Sequence, residues 1–347
     1  MFFDLIKEYT EIPGPVGNED LVAARMVADW TPLCERVWQN KVGNVLAKVG
    51  GSGPKLLITA HMDQINFLVK SITDDGFCWL THGTGGSEAT VPPNTAYIGQ
   101  PVLVRGKGAA YHPGQIGVAS GHVRTAAQRA EDSVDWDDFF LDLGLSSRAE
   151  VEDLGIRPGS QVIFAAETKR LGHHIVGRAM DDRVGLALMT QLARDLQGRE
   201  LQYELYFAAT IEEEVGLGGS MNLAHEVGFD LAIALEIGLV GDIPTVKSSY
   251  MPTALGKGPI ITHKDARIHY SEKVADLLIA AAERLEQPVQ HAVFHGFATD
   301  GDSLIRMGVP TALFTFPARY THSPYEMIDE PDVVAMFEVM RELLQNG

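Results

Sequence analysis

Cysteine is nearly missing from this chain: Cys34 and Cys78 are the only two in 347 residues. That excludes a disulfide framework and a thiolate zinc site. Long apolar runs are missing too. No stretch reaches the roughly 18 residues that a membrane-spanning helix needs. Positive charge is scarce, with 28 Lys+Arg against 46 Asp+Glu and a net charge of −18. No dense Lys/Arg run offsets this, so the footprint of a nucleic-acid or anionic-membrane binder is lacking. Internal repeats and low-complexity segments are absent. The stretch Met1–Glu8 breaks its apolar residues with charges, which predicts an amphipathic helix and not a signal peptide. The expectation is a cytoplasmic protein with no nucleic-acid or membrane partner.

What is present is enough hydrophobic residue, 45%, for one large or two ordinary domains. Helical spacing recurs over Phe2–Thr10, Asn18–Trp30, Val184–Leu196, Tyr270–Leu285 (with Ser271 as its cap) and Pro331–Leu344. Val37–Val49 alternates around Gly43-Asn44, a hairpin signal. Lys55–Ala60, Leu201–Ala209, Asp230–Glu236 and Pro310–Phe316 are short apolar runs, as expected of strands buried on both faces. Between them, residues 69–174 are glycine-rich, with short alternating runs such as Pro101–Arg105 and Gln161–Ala165. About 100 residues is too long for a structureless loop. The pattern predicts an α/β domain, 1–68 with 175–347, carrying an inserted β-rich domain, 69–174.

Chemistry collects where the apolar strands end. Leu201–Ala209 runs into Thr210-Ile211-Glu212-Glu213-Glu214-Val215-Gly216-Leu217-Gly218-Gly219. In open α/β sheets ligands bind at such carboxyl ends. His61 with Asp63, Asp181-Asp182, Glu236 and His322 fall at comparable places. Each has a plainer reading alone: a solvated acidic loop, helix caps for Asp181-Asp182, a surface position for Glu236, a hydrogen-bonded structural histidine. Their recurrence is what points to a nitrogen/oxygen metal site. The number of ligands exceeds the needs of one catalytic zinc and suits two ions sharing a carboxylate. His263, His269, His291 and His295 also fall near predicted strand ends and are candidates to line a substrate pocket.

The segments His61-Met62-Asp63, Met180-Asp181-Asp182-Arg183-Val184-Gly185, Glu213-Glu214-Val215-Gly216-Leu217 and Arg319-Tyr320-Thr321-His322-Ser323-Pro324-Tyr325-Glu326 carry a resemblance to TET-type dinuclear metallo-aminopeptidases. Phe140–Gly144 and Gly155–Gly159 extend it through the inserted region. The resemblance implies a zinc-exopeptidase-type three-layer α/β domain with a small β-barrel dimerisation domain. It implies a dodecamer built from dimers, short peptide substrates, and two divalent ions per subunit, Zn²⁺ or Co²⁺. It further implies His61, Glu214, Glu236 and His322 as terminal ligands, Asp181 as the bridge, Glu213 as general base, and Asp63 as the residue orienting His61. Three positions depart from the family's habit: Glu236 stands for Asp, Gln64 for Glu and Asn66 for Gly. A related deacylase or carboxypeptidase is the same-class alternative. A non-catalytic metal- or glycan-binding scaffold is the other.

Overall fold

The computed structural model describes residues 2–86, 94–119, 121–126 and 134–346. In chain order its elements are α1 (Phe3–Glu11), α2 (Asp20–Trp30), β1 (Arg36–Gln39), β2 (Val45–Gly50), β3 (Lys55–His61), β4 (Phe67–Ile72), β5 (Cys78–His82), β6 (Pro101–Arg105), β7 (Tyr111–Gly117), β8 (Phe140–Asp142), α3 (Arg148–Asp153) and β9 (Gln161–Phe164). There follow β10 (Lys169–Leu171), β11 (His174–Gly177), α4 (Met180–Asp195), β12 (Glu204–Thr210), α5 (Ala224–Val227), β13 (Leu231–Leu239), β14 (Ile260–Lys264), α6 (Glu272–Arg284), β15 (Gln290–Val293), α7 (Asp300–Arg306), β16 (Thr311–Arg319), β17 (Glu326–Asp329) and α8 (Glu330–Asn346). They form two compact units. One holds residues 1–64, 168–321 and 325–347; the other holds 65–167 with 322–324.

The first unit is a mixed sheet with spatial order β1-β2-β12-β3-β13-β16-β17-β11-β10, to which β14 adds beside β16 and β15 beside β14. The four central strands β12, β3, β13 and β16 run parallel. Their apolar residues alternate between two cores, as a period of two requires. Leu56, Ile58, Ala60, Leu205, Phe207, Ile233 and Leu235 pack against residues of α1, α2, α4, α6 and α8. Leu57, Tyr206, Ala208 and Ala232 face a second core with Leu223, Phe229, Leu304 and Val309. Covering on both faces explains why these strands read as continuous apolar runs.

The second unit is a closed barrel, β4-β5-β8-β7-β6-β9, so the strands have no open edge. Its core is Phe67, Val69, Leu80, Val102, Val104, Trp136, Phe139, Leu141 and Val162 among others. Helix α3 beside it begins at Ser147, whose hydroxyl accepts from the Glu150 amide.

Several boundaries differ from expectation. The strand predicted to end at Glu236 continues to Leu239, so that carboxylate lies within β13. Ser271 does stand at the amino end of α6, but its side chain makes no capping bond. Helix α4 starts at Met180, four residues early, although Asp181 and Asp182 keep non-helical backbone angles and are joined by a cis peptide bond. Met1, part of the predicted first helix, lies outside the described residues. No described helix is long and apolar enough to cross a membrane.

Candidate metal centre

Strand register sets the site. Thr210 on β12 stands opposite His61 on β3, and Ala234 on β13 stands opposite Thr59. Two residues further along both strands come Glu236 and His61. Alternation places Glu236, His61 and Thr210 on the face opposite Leu235, Ala60 and Ala209. A third strand end and the start of α4 supply the rest.

His61 is buried, and its Nε2 lies 2.9 Å from Asp181 Oδ1 and 3.7 Å from Glu236 Oε2. One ligand atom from each of the three residues lies within 4.8 Å of the others. His61 Nδ1 is 3.1 Å from the Asp63 carbonyl and 3.4 Å from Asp63 Oδ1. The Asp181 amide donates to Glu326 Oε2 (3.2 Å), and Glu236 Oε1 accepts from the Ile237 amide (2.9 Å). Asp63 does more than the resemblance implies. Its Oδ1 accepts from the Glu213 amide at 3.1 Å and its Oδ2 from the Glu214 amide at 3.0 Å. It therefore grips the turn that carries both glutamates.

That turn is built to a tight tolerance. Glu212 has a φ of 51°, which is costly for a residue with a Cβ. Asn44 spans the turn's two ends, accepting from the Ile211 amide (3.1 Å) and donating to the Gly219 carbonyl (2.9 Å). A Cβ on Gly219 would lie 2.5 Å from Asn44 Oδ1 and from the Ile211 carbonyl, so only glycine closes the loop. Glu213 is buried and Glu214 half-buried.

The electrostatics are lopsided. Burial would lower the His61 imidazole, but Glu236, Asp181 and Asp63 hold it well above its usual value. Burial, with Asp181 adding to it and His61 opposing, pushes Glu236 well up. Burial does the same to Glu213, opposed by His61 and reinforced by Glu236, Glu214 and Asp300. Asp182 is raised by burial and by Asp181. One imidazole thus faces a crowd of carboxylates.

Oxygen and imidazole-nitrogen donors are the set that zinc, cobalt or manganese takes. Glu213 Oε1 and Asp182 Oδ2 are buried with no hydrogen-bond partner among the described residues. Buried acid oxygens left in this condition are expensive, and a divalent cation would relieve them. The residues fit the group.

The other histidine candidates stand as follows. His263 and His291 lie inside β14 and β15, where His263 Nε2 and His291 Nδ1 meet at 2.9 Å. Ring centroids 5.1 Å apart with planes 10° apart then describe two rings bonded edge to edge, not stacked face to face. His269 and His295 are exposed. His322 is exposed in the turn after β16, with a φ of 56°, and its carbonyl accepts from the Tyr97 hydroxyl at 3.3 Å. Other residues had no sequence signal. Asp300, buried at the start of α7, accepts from the Thr210 hydroxyl at 2.5 Å and the Thr59 hydroxyl at 3.4 Å, and so ties the ends of β12 and β3 from below. Glu19 accepts from the Glu212 amide (3.3 Å). An Asp or Glu far from any motif gives no hint of such a bond.

A parallel-sheet α/β unit with buried acids and a histidine gathered near its strand ends offers a site suited to a divalent cation. The M42 glutamyl aminopeptidase family matches residues 43–339. The lysyl aminopeptidase of Pyrococcus furiosus is 32% identical over 99% of this chain and 96% of its own length. An aminopeptidase from Desulfurococcus kamchatkensis superposes with a TM-score of 0.91 at 31% identity, covering 100% of this chain and 95% of that one. The Pyrococcus horikoshii TET1 peptidase superposes at 0.86 with 25% identity over the whole of both chains. This chain belongs to the M42 glutamyl aminopeptidase family. It is a peptide hydrolase of the aminopeptidase kind, and its family is one of divalent-metal enzymes.

Proposed function

We propose that the chain removes amino-terminal residues from short peptides, with Glu213 as general base and two divalent ions, Zn²⁺ or Co²⁺, held by this site. The observation that carries the reading is the meeting of His61, Asp181 and Glu236 beside the buried, unpartnered Oε1 of Glu213. His61, Glu236 and Asp181 would hold one ion. The resemblance assigns Glu214 and His322 to a second ion, with Asp181 as the carboxylate that the two ions would share. Such ions supply Lewis acidity toward a carbonyl and make water more acidic. Glu213 takes the proton of the attacking water and returns it to the departing amine. Asp63 positions both His61 and the amides of Glu213 and Glu214.

Glu236, where the resemblance implies Asp, brings its Oε2 to 3.7 Å from His61 Nε2 from within β13. The P. horikoshii structures are described as a dodecamer and as a tetrahedron or octahedral shell. On that likeness we propose a dodecamer built from dimers through the barrel. Two free cysteines suit a reducing compartment, and the proposed location is the cytoplasm.

The test is turnover of aminoacyl chromogenic substrates against their N-acetylated forms, with metal content measured. Free-amine substrates are expected to be cleaved and acetylated ones spared. Glu236→Ala should lose or weaken one ion, and Glu236→Asp should keep it. Two tightly held ions and a normal rate in Glu236→Ala would remove that residue from the site; cleavage of acetylated substrates alone would point to a deacylase.

A further inference from the structure

Four consecutive amides of the acidic turn are each caught by a side chain from the first 63 residues. Asn44 Oδ1 takes Ile211, Glu19 Oε1 takes Glu212, Asp63 Oδ1 takes Glu213 and Asp63 Oδ2 takes Glu214. Glu19 stands out among these. It occupies the cap position before α2, where a short polar side chain would bond the first turn, and it makes no capping bond. It is 5% exposed, a poor place for a carboxylate without a task. Its Oε1 instead receives the Gly17 amide at 2.7 Å as well as that of Glu212. Glu212 is the turn residue at φ 51°, the conformation most in need of an outside hold.

The support behind Glu19 is fixed too. Fully buried Arg183 donates Nη1 to the carbonyls of Tyr9 (2.8 Å) and Ile12 (3.1 Å), and Nη2 to that of Gly14 (3.5 Å). These bonds pin the segment that ends at Gly17. A Cβ on Gly14 would lie 2.5 Å from Arg183 Nη2, so the segment is seated directly on the guanidinium.

We infer that Glu19 is a positioning residue for this enzyme, holding the Glu212 amide so that the next residue, Glu213, presents its carboxylate to the substrate water. The inference rests on the reading of Glu213 as the base. The charged groups that act on Glu19 are Asp63, just past the end of β3, and Arg183 on α4, while Glu212 meets it through its amide. Burial first, and then Asp63, pushes the Glu19 carboxyl up to about 7. Its ionised form, the stronger acceptor, is lost as the pH falls through that value, and the hold on the turn weakens with it.

The experiment compares Glu19→Ala and Glu19→Gln with the unaltered enzyme in kcat, KM, metal content and pH profile between pH 6 and 9. Loss of an outer partner typically costs about 10–100-fold. Glu19→Ala is expected to lose that much in kcat, with KM within about twofold and metal content unchanged. Glu19→Gln keeps an acceptor oxygen but does not titrate. It should recover most of the rate at pH 8 and lose less than the unaltered enzyme between pH 8 and pH 6. If Glu19→Ala fails to fold, the Gln profile decides alone: an acid-side decline identical to that of the unaltered enzyme overturns the inference. An unchanged kcat in folded Glu19→Ala overturns it as well. Glu213→Gln is run alongside. Near-normal turnover there defeats the base assignment, whereas an inactive Glu213→Gln beside a fully active Glu19→Ala defeats only the role of Glu19.

Discussion

Two acid-rich regions of this molecule obey opposite rules. At the rim, carboxylates have guanidinium partners. Asp242 accepts from Arg319 at 2.8 and 2.5 Å, and although partial burial pushes its carboxyl up, Arg319 and the Leu255 amide bring it below the usual range. Glu330 accepts from Arg170 at 2.7 Å and from the amides of Phe2 and Phe3. Partial burial opposes these bonds, yet the carboxyl drops to about 2. In the interior site, Glu213, Glu236, Asp182 and Asp300 are all pushed the other way, by burial first. The fully buried arginine near them, Arg183, spends its Nη donors on backbone carbonyls. The rim is complete as a protein, whereas the interior site lacks positive charge that only something outside the chain can bring.

Stripping metal with a chelator tests this most severely. Peptidase activity should vanish and the thermal midpoint should fall, because a cation that binds only the folded state stabilises it. Both should return with Zn²⁺ or Co²⁺. An unchanged midpoint in protein shown to be metal-free would erase the contrast between the two regions. Next in size is the pair of neighbouring glutamates. Glu213→Gln should lose about 10²–10⁴-fold in kcat, the usual worth of general acid–base catalysis, while keeping its metal. Glu214→Gln should lose metal occupancy instead, with partial rescue by excess metal. Elemental analysis beside turnover separates them.

A smaller effect follows from Glu19. Its folded carboxyl is raised from 4.5 to about 7, so the folded state holds a proton the unfolded state has released. For such a group stability is greatest below about 4.5 and falls as the pH rises to about 7. Glu19→Gln removes that slope. Its stability relative to the unaltered chain should therefore improve between pH 5 and pH 8, by at most about 3 kcal/mol at 1.36 kcal/mol per pH unit. Paired denaturation curves at the two pH values measure it. The smallest effect belongs to the rim. Arg284→Ala breaks the 2.7 Å pair with Glu342, and being exposed it should cost about 0–1 kcal/mol. A loss of several kcal/mol there would show that the rim is not ordinary surface.

The site was partly legible because strand ends announce themselves. Lys55–His61 and Glu204–Thr210 are continuous apolar runs that stop where polar chemistry starts, and their parallel pairing sets His61 against Thr210. Glu236 was readable as a residue type but not as a place, since nothing in the sequence shows that β13 runs on to Leu239. Asn44, Glu19 and Asp300 were invisible. Each acts through hydrogen bonds to segments 90 or more positions away, and neither composition nor periodicity encodes such bonds. His263 and His291 show the same limit: residues near predicted strand ends meet each other across two paired strands, a bond their own positions do not announce.

Nearly all of the centre is assembled from parts that meet only over long stretches of chain. His61 reaches Asp181 across 120 positions, and Asp63 reaches the Glu213 amide across 150. Contacts of that span form late, after the loops between them have been closed. A nascent or half-folded chain therefore possesses the acids and the imidazole but no peptidase. Hydrolytic power arrives only when β3, β12 and β13 have zipped into register.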